Sequence, residues 1–154
     1  MSDPVSRIQA EQFLRQAAQD VLETMFFVII LGDAPDDSAP PARLCAQLRF
    51  QGSPPGWFRL SLCHAAARSV ATGFCGAEAE SDLSEAQVES VVRELANVIC
   101  GAALSRLESD SAFELEAPEI VPCPGHEDVS EAARCSLLLD CGTLDLWLSL
   151  DAAS

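Results

Sequence analysis

The 154-residue sequence predicts an α+β domain in which a largely antiparallel sheet is packed by three helices. Two observations carry this. Three segments place apolar residues at helical spacing, and two pairs of short alternating segments flank turn chemistry as hairpins do. These classes of segment do not alternate as a βαβ series would require, which excludes a doubly wound parallel sheet. The length suits a single domain over residues 1–154, with residues 1–6 expected as a disordered N-terminus, and 49% hydrophobic residues suffice for one core.

In chain order, Ile8, Phe13, Leu14, Ala17, Val21, Leu22 and Met25 give the first helix, from Arg7 to Met25. Residues Phe26 to Leu31 either extend it or open a strand. Gly32 to Pro41, rich in Asp and Pro, reads as a loop. Leu44, Ala46, Leu48 and Phe50 then alternate with polar or small residues, Gly52-Ser53-Pro54-Pro55-Gly56 is turn chemistry, and Trp57 to Cys63 completes a hairpin. His64 to Cys75 is a short Ala-rich helix ended by Gly76. Ser84 is placed to cap a long third helix ending near Leu107. Phe113 to Val121 is a strand interrupted by Pro118, and Pro122 to Asp128 a loop. Cys135 to Asp140 and Leu144 to Leu150 form the closing hairpin, with Leu144, Leu146, Leu148 and Leu150 on one face.

Composition narrows the function classes. The formal charge is −15, and the nine basic residues are all arginine. Such an acidic chain repels a phosphate backbone and anionic lipid, so neither nucleic acid nor a membrane surface is expected as a partner. Without lysine there is no Schiff base and no phosphate-loop lysine. The start lacks the basic and apolar regions of a secretory signal, and the longest apolar run, Met25 to Leu31, cannot span a bilayer. Seven cysteines, odd in number and without a C-x-x-C pair, read as reduced small hydrophobes in a cytoplasmic protein. Cys63-His64 is the one adjacent thiol–imidazole pair, but neighbouring side chains on a strand or helix point apart. With only two histidines, well separated, a structural zinc site is not expected.

The third helix carries the informative pattern. At about 100° per residue, Ser90, Glu94, Asn97 and Gly101 fall within a stripe roughly 60° wide. Val88, Val91, Val92, Leu95, Val98, Ile99 and Ala102 occupy the other side and can bury the helix on a sheet, leaving the stripe as an outward polar ridge. Asparagine competes for backbone hydrogen bonds and is a middling helix former, so a mid-helix Asn97 calls for a reason. The spacing alone leaves open an exposed face with no task. Gly101 leaves room for close approach or serves as a packing glycine, Ser90 is solvated or bonds Glu94, and Leu104 lies at the edge of the stripe as an apolar rim.

The motif Ser90-x-x-x-Glu94-x-x-Asn97-x-x-x-Gly101 resembles that of the CheC/CheX/FliY family of chemotaxis phosphatases, in its single-site CheX-like type. The stretch Phe113 to Val121, with Pro118, resembles the family's proline-bearing strand. Gly56 to Leu62 before the Ala-rich helix, and the closing hairpin, agree in order. The resemblance covers nearly all of the chain from Arg7 onward.

It implies a hydrolase that removes the phosphoryl group from the aspartate of a CheY-type response regulator. Asn97 would orient the attacking water and Glu94 would pair with the regulator's lysine, with Ser90, Gly101 and Pro118 supporting. No cofactor is expected on this chain, since the regulator supplies the Mg²⁺. A homodimer is implied as well. The rival reading is a non-catalytic module that docks a regulator or a flagellar-motor component. A hydrolase with its own covalent nucleophile would need a base beside a Ser or Cys, and the third helix offers none.

Overall fold

A computed structural model describes residues 4–26, 28–33, 43–52, 55–76, 78, 83–106, 113–122 and 132–150. Alternation in the hairpin segments builds the core. The strands β1 (Ile30–Asp33), β2 (Arg43–Gln51), β3 (Gly56–Cys63), β4 (Glu114–Leu115), β5 (Glu119–Val121), β6 (Ala133–Leu139) and β7 (Gly142–Leu150) form one antiparallel sheet. Its order is β1-β6-β7-β3-β2-β4, with β5 also on β2. Across this sheet, Leu48 lies beside Phe58, Phe58 beside Leu148, and Leu148 beside Ala133. Ala46, Leu60, Leu146 and Cys135 make the next row, and Leu44, Leu62, Leu144 and Leu137 the third. These residues are buried, because a period of two sends every second side chain to the same face.

The helices α1 (Pro4–Met25), α2 (His64–Cys75) and α3 (Glu85–Ser105) supply the other half of the same core, through residues such as Leu14, Leu22, Val70, Leu95 and Ile99. The helix α3 packs against both α1 and α2 and lies over β2 and β3. Gly76 ends α2 in the left-handed region, φ 68°, its N–H reaching back to Thr72 and Gly73 carbonyls. An L side chain there would be strained, so glycine suits the stop.

Several sequence expectations are corrected. Residues 4–6, expected as part of a disordered N-terminus, are helical, since proline fits the first turn of a helix, where its missing N–H has no partner to lose. After Met25 the chain opens a strand, and Gly32 and Asp33, expected in a loop, belong to β1. Pairing with β6 wins there. Gly32, at φ 145°, takes up the bulge in the register, and Asp33 is held by an ion pair with Arg15. The rest of the expected 32–41 loop, and most of the 122–128 loop, lie outside the described residues.

The third helix ends at Ser105 with Arg106 as its cap, in keeping with the expected end near Leu107. Cys45 is disulfide-bonded, against the expectation of seven reduced thiols, while Cys63, Cys75, Cys100, Cys135 and Cys141 are free. Cys123 lies outside the described residues. Among the described residues, no helix is long and apolar enough to cross a membrane.

Candidate functional site

The ridge depends on how firmly α3 is held. At its start, Ser84 Oγ accepts from the Gln87 N–H at 3.1 Å while Gln87 Oε1 accepts from the Ser84 N–H at 2.7 Å. This reciprocal box satisfies donors that the first turn would otherwise leave unpaired. Arg68 of α2 reaches over the same end, donating to the Leu83 carbonyl at 3.2 Å and pairing with Glu85. At the far end Arg106 donates to the Ala102 carbonyl at 2.9 Å and pairs with Asp20 of α1. Both termini are therefore tied to neighbouring helices. Along its length Val88, Val91, Val92, Leu95, Ala96 and Ile99 are buried.

What remains outside is the predicted ridge. Ser90 and Glu94 are exposed, and Asn97 and Gly101 are half-buried one and two turns further on. Among the described residues, no hydrogen bond or ion pair engages the side chains of Ser90, Glu94 or Asn97, so Ser90 does not bond Glu94. The ridge is closed at its C-terminal end, where Leu115 of β4 lies beside Gly101: a Cβ built on Gly101 would stand 4.0 Å from Leu115 Cδ2. That is ordinary contact, so nothing within the described fold demands glycine. Pro118 is not on the ridge. It sits half-buried in the break between β4 and β5, edge strands on β2, with β5 touching α3. Leu104, expected as an exposed rim, is buried at 2% exposure, because neighbouring elements close over this C-terminal half of α3.

The chemistry open to such a ridge is that of positioning. Glu94 offers a carboxylate to a cation, and Asn97 a carboxamide that can both donate to and accept from a water. A covalent role is disfavoured. Cys100, on the buried side of the same helix, has its thiol pushed up to about 12 by burial, and Cys135 to about 11. Cys141 is shifted upward too, mainly by burial. Among the described residues, no three His, Cys, Asp or Glu side chains gather as a metal site would require.

Asn97 and Gly101 in a helix interior together cost roughly 1.5 kcal/mol relative to two alanines. Among the described residues, the Asn97 side chain makes no hydrogen bond that would offset this, and Gly101 has only Leu115 beside it. Sequence reasoning passed over Arg93, which precedes Asn97 by one turn and borders the ridge. The wheel that found Glu94 places Arg93 only about 40° from Asn97. The contact with Leu115 left no trace in the linear pattern.

A family model described as chemotaxis phosphatase CheX matches residues 44–139. Among solved structures, the chain is similar to a chemotaxis protein CheX from Desulfovibrio desulfuricans, at 19% identity and a TM-score of 0.70, covering 92% of this chain and 99% of that one. It is similar to CheX in a CheX–CheY–BeF3–Mg complex from Borrelia burgdorferi, at 19% identity and 0.71, covering 92% and 97%. Thermotoga maritima FliY aligns at 14% identity and 0.64, covering 97% and 92%. At these identities the likeness establishes a shared fold. No curated protein matches significantly by sequence.

Proposed function

Since this chain belongs to the chemotaxis phosphatase CheX family, we propose that it hydrolyses the phosphoaspartate of a CheY-type response regulator, with Asn97 orienting the attacking water and Glu94 pairing with the regulator's lysine. The supporting observation is the pair itself: an exposed carboxylate and a half-buried carboxamide one turn apart on a braced helix, without hydrogen-bond or ion-pair partners among the described residues. The Borrelia burgdorferi relative is described in complex with CheY, BeF3 and Mg, a partner of the class proposed.

The receiver brings the acyl phosphate, a lysine and Mg²⁺, whose charge offsets that developing on the phosphoryl oxygens; no cofactor is assigned to this chain. What this chain adds is geometry. The water oxygen bonds to phosphorus as the P–O bond to the aspartate breaks; the carboxylate keeps the electron pair, and the water's protons remain with phosphate and solvent. Such a step gains chiefly from in-line placement and electrostatics. Asn97, accepting from the water through its carbonyl oxygen, would hold the lone pair toward phosphorus. Glu94 would fix the register of the two proteins, a task for a carboxylate and not for its amide.

The test is the decay of radiolabelled phosphoaspartate on a panel of receiver domains, with and without this protein. Faster decay on one receiver, lost in Asn97→Ala while binding persists, supports the reading. Glu94→Ala should weaken both turnover and binding. Binding to a receiver without any acceleration would instead make the chain a non-catalytic docking module. A homodimer is part of the proposal: β1 lies at the end of the sheet order and carries Leu31 61% exposed, with Ile29 just before it 58% exposed, an edge open to a second copy. Light scattering that returns the single-chain mass of 16.4 kDa at micromolar concentration counts against it.

A further inference from the structure

Arg93 is half-buried on α3, and among the described residues its guanidinium has neither a hydrogen bond nor an ion pair. Arg49, exposed on β2, is likewise unpaired, but Arg93 is half-buried and borders the ridge. Acids outnumber bases 24 to 9, and Arg15, Arg68, Arg106 and Arg134 each pair with a carboxylate. Glu89, four residues earlier on the same helix, stands where an i,i+4 pair could form, yet no such pair is made. Beside the ridge, this guanidinium is open to an acceptor that the described residues do not supply.

We propose that Arg93 is a positioning residue that docks on a carboxylate at the rim of the receiver's phosphorylation site. This rests on the phosphatase reading and deepens it. A chain carrying −15 gains no long-range attraction toward a receiver face that is itself acidic, so recognition must come from local pairs. The planar fork of an arginine matches a carboxylate through two parallel N–H···O bonds. On the helix wheel, Arg93 and Glu94 lie about 100° apart, on opposite sides of Asn97. The ridge thus offers a cation on one flank and an anion on the other. Two pairs of opposite sign admit one orientation of the receiver, and the reversed one would set like charges together.

The experiment is steady-state phosphatase kinetics on a responsive receiver with Arg93→Ala, Arg93→Lys and Arg93→Glu, each first checked for an unchanged melting temperature. The expected result is KM raised about 10-fold in Arg93→Ala and about 100-fold in Arg93→Glu, with kcat preserved and partial recovery in Arg93→Lys. The rise of KM with salt should be shallower in Arg93→Ala than in the parent. A loss of kcat at constant KM would overturn the proposal in favour of direct contact with the phosphoryl oxygens, and unchanged kinetics would leave Arg93 merely solvated. Should the parent protein accelerate no receiver, the phosphatase reading fails by itself. Arg93 is then tested by titrating a BeF3-loaded receiver, where Arg93→Glu must still lose affinity. If the parent protein binds no receiver, both proposals fall.

Discussion

Replacing Gly101 with alanine separates what this residue does for the fold from what it does for a partner. Glycine in a helix interior costs about 0.8–1 kcal/mol relative to alanine, because the unfolded chain loses more freedom on folding. Among the described residues, the added methyl would meet only Leu115 Cδ2, at 4.0 Å, with no clash to offset the gain. Gly101→Ala should therefore stabilise the protein by about 1 kcal/mol, which for a chain of this size raises the melting temperature by about 2–4 °C. Thermal unfolding followed by far-UV circular dichroism reads this directly. The same methyl stands on the ridge one turn beyond Asn97, where a receiver would approach. Misplacing the reacting groups by about 1 Å costs up to 100-fold, so kcat/KM should fall at least tenfold in this more stable protein. A lower melting temperature would refute the packing argument. A higher one with undiminished turnover would refute the idea that the glycine is kept for close approach.

Ser84→Ala removes one half of the capping box and should cost about 1 kcal/mol, lowering the melting temperature by about 2–4 °C, with Ser84→Asp recovering most of it. Thermal unfolding of the three proteins side by side checks it; equal stability of Ser84→Ala and the parent would contradict the role of the box. Stability should also fall on the alkaline side. Burial holds the Cys100 thiol up at about 12 and that of Cys135 at about 11, whereas an unfolded thiol ionises near ~8.5. Above the unfolded value the unfolded chain releases protons that the native one keeps, so each thiol removes roughly 1.4 kcal/mol per pH unit until its folded value is reached. Urea unfolding between about pH 8 and 11 measures this. Cys100→Ala and Cys135→Ala together should flatten the profile, and a slope unchanged by both would assign it elsewhere.

The fold was legible where periodicity is strict. Leu44 to Phe50, Trp57 to Cys63 and the closing hairpin alternate so regularly that the alternation alone assigns their buried faces, and Val88 to Ile99 marks the buried side of α3 equally well. Legibility failed where pairing over distance overrides local chemistry. Gly32-Asp33 looks like a loop, but β6 captures it as a strand edge, and Cys45, which reads as a free thiol, is disulfide-bonded. Leu104 sits at the edge of the polar stripe on a wheel, and only the closing of neighbouring elements over that end of α3 buries it.

The sequence by itself determined the fold class, the three helices and the row Ser90, Glu94, Asn97 and Gly101 on one side of α3, because these follow from the 3.6- and 2-residue periods of the backbone. Tertiary structure alone decided how the row is presented. Arg68 and Arg106 tie the two ends of α3 to its neighbours, Leu115 closes the ridge beyond Gly101, and the acids that neutralise Arg15, Arg68 and Arg106 come from distant segments while none among the described residues reaches Arg93. Which charges find partners depends on distances across the fold, and no local pattern encodes those distances.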